Sequence, residues 1–152
     1  MLEKPNLQDE KIIVCLQEAY GLHIRGVEFL PLGADVHTAV YRITTVNNTP
    51  YFLKLRSGDF AEAAVLLPKF LRDQGIRQVI APLPTQRGEL WTSLDRFKAV
   101  LYPFVTGQDG YELKMQPHHW ATFGATLEHI HSVTLPAKLA QALPRETFTD
   151  RW

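Results

Sequence analysis

Cysteine is nearly absent from this chain: Cys15 stands alone among 152 residues. An intramolecular disulfide and a cysteine-based zinc site are therefore excluded, and Cys15, set in an apolar helical stripe, reads as a small buried hydrophobe. A charge excess of either sign is lacking too. Sixteen basic residues meet sixteen acidic ones, so the net charge is zero. That balance gives no electrostatic footprint for nucleic acid or an anionic membrane. No apolar run approaches the roughly 18 residues of a membrane span. The opening segment MLEKPNLQDEK has no apolar core of the signal-peptide kind. The expectation is a cytoplasmic protein with neither nucleic-acid nor membrane partners.

What remains has the composition of a folded domain, 45% hydrophobic and 21% charged. Residues 7–20 predict a helix with Asn6 as N-cap, Asp9 and Glu10 in its first turn and Gly21 as its stop. Leu7, Ile13, Leu16 and Tyr20 form its apolar stripe. Strands are predicted over 27–32, 40–46 and 51–56, joined by the turns GADVHTA (33–39) and Asn47–Pro50. A helix over 59–73 follows, capped by Ser57 or Asp59, closed by Gly75 and kinked or split by Pro68. Three more extended segments are expected: VIAPLPTQ (79–86), ELWTSL (89–94) and FKAVLYPFV (97–105). After the polar linker TGQDGYE (106–112), residues 117–134 predict a helix with Pro117 in its first turn and a stripe of Trp120, Phe123, Leu127 and Ile130. A weaker tail runs from Leu135 to Trp152.

The stretch YFLKLRSGDFAEAAVL (51–66) raises a chemical question. Alternation puts Tyr51, Leu53 and Leu55 on one face of a strand and Phe52, Lys54 and Arg56 on the other. Glu62 follows at the start of the next helix. Lys54 and Glu62 read either as a surface pair or as an ion pair lining a pocket. The histidines do not favour a metal: neither His118-His119 nor His129 with His131 has the i, i+4 spacing, and no H-E-x-x-H accompanies them.

GADVHTAVYRI, YFLKL, SGDFAEAAVLL, LYPFVTGQDGY and FGATLEHIHSV, in this order, resemble the aminoglycoside phosphotransferase family, in its spectinomycin phosphotransferase-like branch. The resemblance implies an α+β fold. A kinase-like N-terminal lobe (1–104) would carry an antiparallel sheet, an N-terminal helix and a regulatory-type helix. A hinge and linker (105–116) and the start of a helical C-terminal lobe (117–152) would follow. It also implies a site for ATP or GTP. Lys54 would neutralise the α- and β-phosphates and Glu62 would hold Lys54 in place. Thr38 and the backbone of GADVHTA would cover the phosphates, and Val40 and Phe52 would lie near the adenine. Tyr102, Phe104 and Val105 would form the hinge that reads the adenine edge. His131 matches a helix end common in the family, where it packs or caps.

Such chemistry also needs a catalytic aspartate, an asparagine and a second acid for Mg²⁺, which in the family lie in the C-terminal lobe. No H-x-D occurs here, and the only asparagines are Asn6, Asn47 and Asn48. No catalytic or metal-binding residue is therefore assigned. The chain reads as the front half of a phosphotransferase (a fragment, a truncated product or a split protein) that by itself does not transfer phosphate. Mg²⁺ and a small-molecule acceptor would bind only with the second lobe. The alternatives are a non-catalytic nucleotide-binding or interaction module and a purely structural α+β domain. The stripe of helix 117–134 should either be covered by Leu135, Leu139 and Leu143 of the tail or drive self-association.

Overall fold

The computed structural model describes residues 3–33, 35–107, 110 and 113–144. Its elements in chain order are α1 (Asp9–Tyr20), β1 (Ile24–Leu30), β2 (Thr38–Thr45), β3 (Pro50–Ser57), α2 (Ala63–Asp73), β4 (Thr92–Leu94), β5 (Phe97–Pro103), α3 (Pro117–Ser132) and α4 (Ala137–Ala142). The strands form a five-stranded sheet ordered β1-β2-β3-β5-β4, with every neighbouring pair antiparallel. The architecture is α+β, as expected. Among the described residues no helix is long and apolar enough to cross a membrane.

The pleat divides the sheet chemically. One face presents Ala39, Tyr41, Ile43, Leu53, Leu55, Ala99 and Leu101, all buried, and α1 packs against it through Leu7, Ile12 and Leu16. Ile12, rather than Ile13, faces this core, while Leu7, Leu16 and Tyr20 of the expected stripe keep their places. The cap also differs. Gln8, not Asn6, precedes the helix, and it makes no side-chain cap bond. Gly21 ends the helix as expected, at φ 68°, with its N–H on the Gln17 carbonyl at 3.0 Å. Cys15 is half-buried, and burial pushes its thiol up to about 11.

The second face carries a smaller cluster in which Val65 of α2 meets Val100 of β5, Leu90, Phe60 and Trp91. This cluster explains why α2 begins at Ala63 and not at Asp59. Phe60 is drawn onto Trp91, with ring centroids 5.3 Å apart, and the Asp59 carbonyl accepts from Arg56 Nε at 3.2 Å. Residues 58–61 are thereby held outside the helix, and neither Ser57 nor Asp59 caps it. Pro68 does not split α2, which runs continuously to Asp73, and Gly75 lies just past its end at φ 92°.

The segment 79–86 is not a strand. Pro82 and Pro84 flank Leu83 and have no N–H, so although the Leu83 N–H reaches the Leu101 carbonyl at 2.7 Å no continuous ladder forms along β5. The extended segment expected over 89–94 shortens to β4, because Leu90 and Trp91 turn into the α2 cluster.

α3 starts with Pro117 at its first position and a capping box between Gln116 and His119, whose Nδ1 accepts the Gln116 N–H at 3.0 Å. His131 is exposed in its last turn. None of its residues is buried: Trp120 is 58% exposed, Phe123 54% and Leu127 39%. Among the described residues the tail leaves this stripe uncovered. α4 packs on α2 instead, with Leu139 buried, so of the two expected outcomes cover by Leu139 is not the one found. Residues 145–152, and 108, 109, 111 and 112 of the linker, lie outside the described residues.

Leu55→Ala removes a side chain with no exposure at the centre of the core and should cost about 2–5 kcal/mol in denaturant unfolding. Tyr41→Phe should be neutral to stabilising by up to about 1 kcal/mol, because the buried Tyr41 hydroxyl has no partner among the described residues. Alkaline pH should destabilise the fold. Cys15 ionises near 9 when unfolded and near 11 when folded. Stability is therefore intact below pH 9 and falls as pH rises to 11. Thermal melts of Cys15→Ala should show the onset moved up towards 10, where Tyr41, itself pushed up to about 12 by burial, takes over.

Candidate functional site

β3 is the strand that both faces share. Leu53 and Leu55 enter the core, while Phe52, Lys54 and Arg56 stand on the other side, partly covered by α2 and open elsewhere. Antiparallel register puts Lys54 directly between Val40 of β2 and Val100 of β5. Phe52 is likewise paired with Tyr102, their rings 6.4 Å apart at 64°. Arg42, opposite Phe52 on β2, lies over the Phe104 ring at 4.9 Å. Burial raises the Tyr102 phenol above its ordinary range and keeps it neutral. The open face thus grades from an aromatic end at Phe52, Tyr102 and Phe104 to a cationic end at Lys54 and Arg56.

Two hollows meet at Lys54. One, about 250 Å³, lies under the loop after β1 and is bordered by Leu32, Asp35, Thr38, Val40, Phe52 and Lys54. The other, about 360 Å³, lies between β3 and α2 and is bordered by Lys54, Arg56, Phe60, Val65 and Tyr102. A larger hollow of about 730 Å³ lies elsewhere, between α1, the 85–89 turn and β4. Its rim carries Glu10, Glu18, Glu89 and Asp95 against Lys11 and Arg87, with Lys11 and Asp95 paired at 2.7 Å. Carboxylates outnumber cations there, so it suits a polyanion less than the Lys54 side does.

The structure brings Val40, Phe52, Lys54 and Tyr102 together, with Thr38 at the rim of the smaller hollow. Phe104 continues the same face beyond β5, and Val105 is exposed. Glu62 is not joined to this group. It is exposed at the N-cap of α2, and the ion pairs among the described residues are Lys4–Asp9, Lys11–Asp95, Arg56–Asp35 and Lys69–Asp73. The expected Lys54–Glu62 pair is therefore not formed. Glu62 opens the first turn of α2, its carbonyl accepting the Leu66 N–H at 2.9 Å, but its side chain stays exposed.

Sequence reasoning missed Asp35 and Arg42, and it used Arg56 only as a neighbour of Lys54. Alternation placed Arg56 on the right face, but its partner Asp35 is 21 residues away and carries no local signal. In the GADVHTA segment, Asp35 organises the turn. Its carboxylate accepts the His37 N–H at 2.9 Å and the Thr38 hydroxyl at 3.1 Å, and its carbonyl accepts the Thr38 N–H at 3.1 Å. Among the described residues no group of three His, Cys, Asp or Glu is placed to hold a metal ion.

A family model described as the phosphotransferase enzyme family matches residues 28–152. A comparison with curated proteins returns no match. Among solved structures, a spectinomycin phosphotransferase in complex with ADP and spectinomycin is 29% identical, with a TM-score of 0.86 over 94% of this chain and 43% of its own. An amicoumacin kinase in complex with AMP-PNP and Ca²⁺ is 19% identical, with a TM-score of 0.59 over 88% of this chain and 43% of its own. An aminoglycoside phosphotransferase from Alicyclobacillus acidocaldarius, also 19% identical, has a TM-score of 0.56 over 84% and 35%. The two at 19% identity carry the fold alone. The chain spans less than half the length of each of these proteins.

Since Glu62 is solvated and unpaired with Lys54, Glu62→Gln should move the melting temperature by no more than about 2 °C. A larger loss in a thermal melt would mean that the carboxylate has a structural partner.

Proposed function

This chain belongs to the phosphotransferase enzyme family and has the fold of its kinase-like N-terminal lobe; from that premise we propose that it is the nucleotide-binding part of an ATP- or GTP-dependent enzyme. The acceptor would be a small-molecule hydroxyl, of the aminoglycoside-type antibiotic class. One observation carries the reading. Lys54 stands at the centre of the open sheet face with no acidic partner among the described residues, two positions from an aromatic surface, at the meeting of two hollows.

The residues fit a nucleotide. A lysine ammonium on a rigid strand offers point-charge stabilisation to phosphate oxygens. Val40, Phe52 and Tyr102 give the flat apolar contact a purine needs, and the backbone beyond Pro103 supplies groups for its edge. Phe104 and Val105 belong to that hinge, residues 105–116 to a connection, and 117–152 to the beginning of a second lobe. The hollow under the loop, about 250 Å³, is below the 300–1,000 Å³ common for ligand pockets. That is what one wall of a two-sided cleft would give. No group of three acidic, His or Cys side chains among the described residues could hold a metal ion without the phosphates, and no metal role is assigned to them.

The sequence contains no H-x-D and no asparagine in such a context, so no residue of this chain is proposed to accept a hydroxyl proton. The proposed contribution of the chain is to bind and orient phosphates. The bare apolar stripe of α3 is, on the same reading, a surface that packs against more of such an enzyme or against a second copy. A non-catalytic nucleotide-binding module would share the cleft and differ only in having no catalytic partner.

ADP at about 100 times its dissociation constant should stabilise the chain by about 2.7 kcal/mol, read as a rise in melting temperature. Lys54→Ala should abolish the rise without lowering the ligand-free melting temperature appreciably. The purified chain should show no drug-dependent ATP turnover. An ADP shift that survives Lys54→Ala would remove the phosphate role of Lys54, and turnover by the chain alone would refute its dependence on a second lobe.

A further inference from the structure

β3 carries a second cation on the face of Lys54. Arg56 is two residues on, about 6.6–6.8 Å along the strand, and both side chains border the hollow between β3 and α2. Arg56 is already engaged. Its Nη1 pairs with the Asp35 carboxylate and lies 3.4 Å from the Thr38 hydroxyl, while its Nε donates to the Asp59 carbonyl at 3.2 Å. Asp35 in turn borders the hollow under the loop together with Lys54. The His37 N–H, then the Thr38 hydroxyl and Arg56, hold its carboxyl below the ordinary carboxylate range. An ionised carboxylate thus faces the space where Lys54 would take up phosphate, and the cation that neutralises it stands beside Lys54.

The pair is not what ties the loop down. Ser57 does that separately: its N–H donates to the His37 carbonyl at 2.9 Å and its hydroxyl to the same oxygen at 3.2 Å. The guanidinium, with five N–H donors, retains capacity beyond the bonds it makes, and its fork matches phosphate oxygens bidentately. We propose that Arg56 is a second phosphate-binding cation for a nucleoside polyphosphate, held ready by Asp35, and that phosphate and the Asp35 carboxylate compete for its guanidinium. This rests on the nucleotide reading above. In the ligand-free state Asp35 holds Arg56 at the border of the hollow between β3 and α2. A bound polyphosphate would draw Arg56 towards Lys54 and leave Asp35 on its His37 and Thr38 bonds alone.

The two roles for the pair, ready cation or structural clasp, predict opposite signs for one substitution. Calorimetric titration of the 152-residue chain with ADP and with adenosine reads the difference. Arg56→Gln should weaken ADP binding about tenfold and leave adenosine unchanged, and Arg56→Lys should recover part of the loss. Asp35→Asn should tighten ADP binding about threefold, again without effect on adenosine, because it removes both the competitor and a like charge. The proposal is overturned if Asp35→Asn weakens ADP binding, as breaking a clasp would, or if neither substitution separates ADP from adenosine. Should Arg56→Gln fail to fold, the sign of the Asp35→Asn effect decides alone. A wild-type chain that binds neither ligand overturns the nucleotide reading together with this inference, whereas binding without that divergence overturns this inference only.

Discussion

The period-two pleat of β3 is the constraint on which the rest of the molecule depends. A strand rises about 3.3 Å per residue and throws successive side chains to opposite sides. Leu53 and Leu55 can therefore be fully buried only if Phe52, Lys54 and Arg56 are delivered to the other face. The burial of the leucines against α1 fixes the strand's rotation, and that rotation fixes the lysine. Hydrogen bonding on both edges, to β2 and β5, then fixes its position along the strand.

The open face is kept open by economy of cover. α2 reaches it chiefly through Val65 over Val100, and Phe60 with Trp91 closes the near end. α4 lies on α2 and adds nothing to the cleft. What is left between the loop after β1 and the aromatic pair Phe52–Tyr102 is concave, apolar at one end and positive at the other. Such a surface has the polarity of a nucleotide, with a flat heterocycle at one end and anionic oxygens at the other.

Alternation made the two faces of β3 legible in the sequence. Gly21 and Gly75 marked helix ends for local reasons, since both take positive φ. The errors fall where a distant partner decides. α2 starts late because Phe60 packs on Trp91, and Ile12 replaces Ile13 in the α1 stripe because the sheet selects which residue fits. The apolar residues of 79–86 suggested a strand, but two prolines remove the donors a ladder requires. Of the site, Lys54, Phe52, Val40 and Tyr102 follow from the strand pattern and the family resemblance. The Lys54–Glu62 contact is not formed: Glu62 does open α2, but its side chain is left exposed there, which the spacing of the two residues could not show. Asp35 could not be found, because its value comes from a pairing across β2 and β3 that only folding creates.

α3 has a different standing from everything else in the chain. Its 16 residues bury no side chain, so its helical hydrogen bonds are supported by its cap and its own propensity rather than by packing. Isolated helices of about 12–15 residues are marginal in water. The free energy needed to open α3 is therefore decoupled from that of the sheet, and its amides belong to the fast end of hydrogen exchange while those of β2, β3 and β5 belong to the slow end. In folding terms the chain is a cooperative unit formed by α1, the sheet and α2, followed by a helix whose stability is set by whatever comes to lie against it.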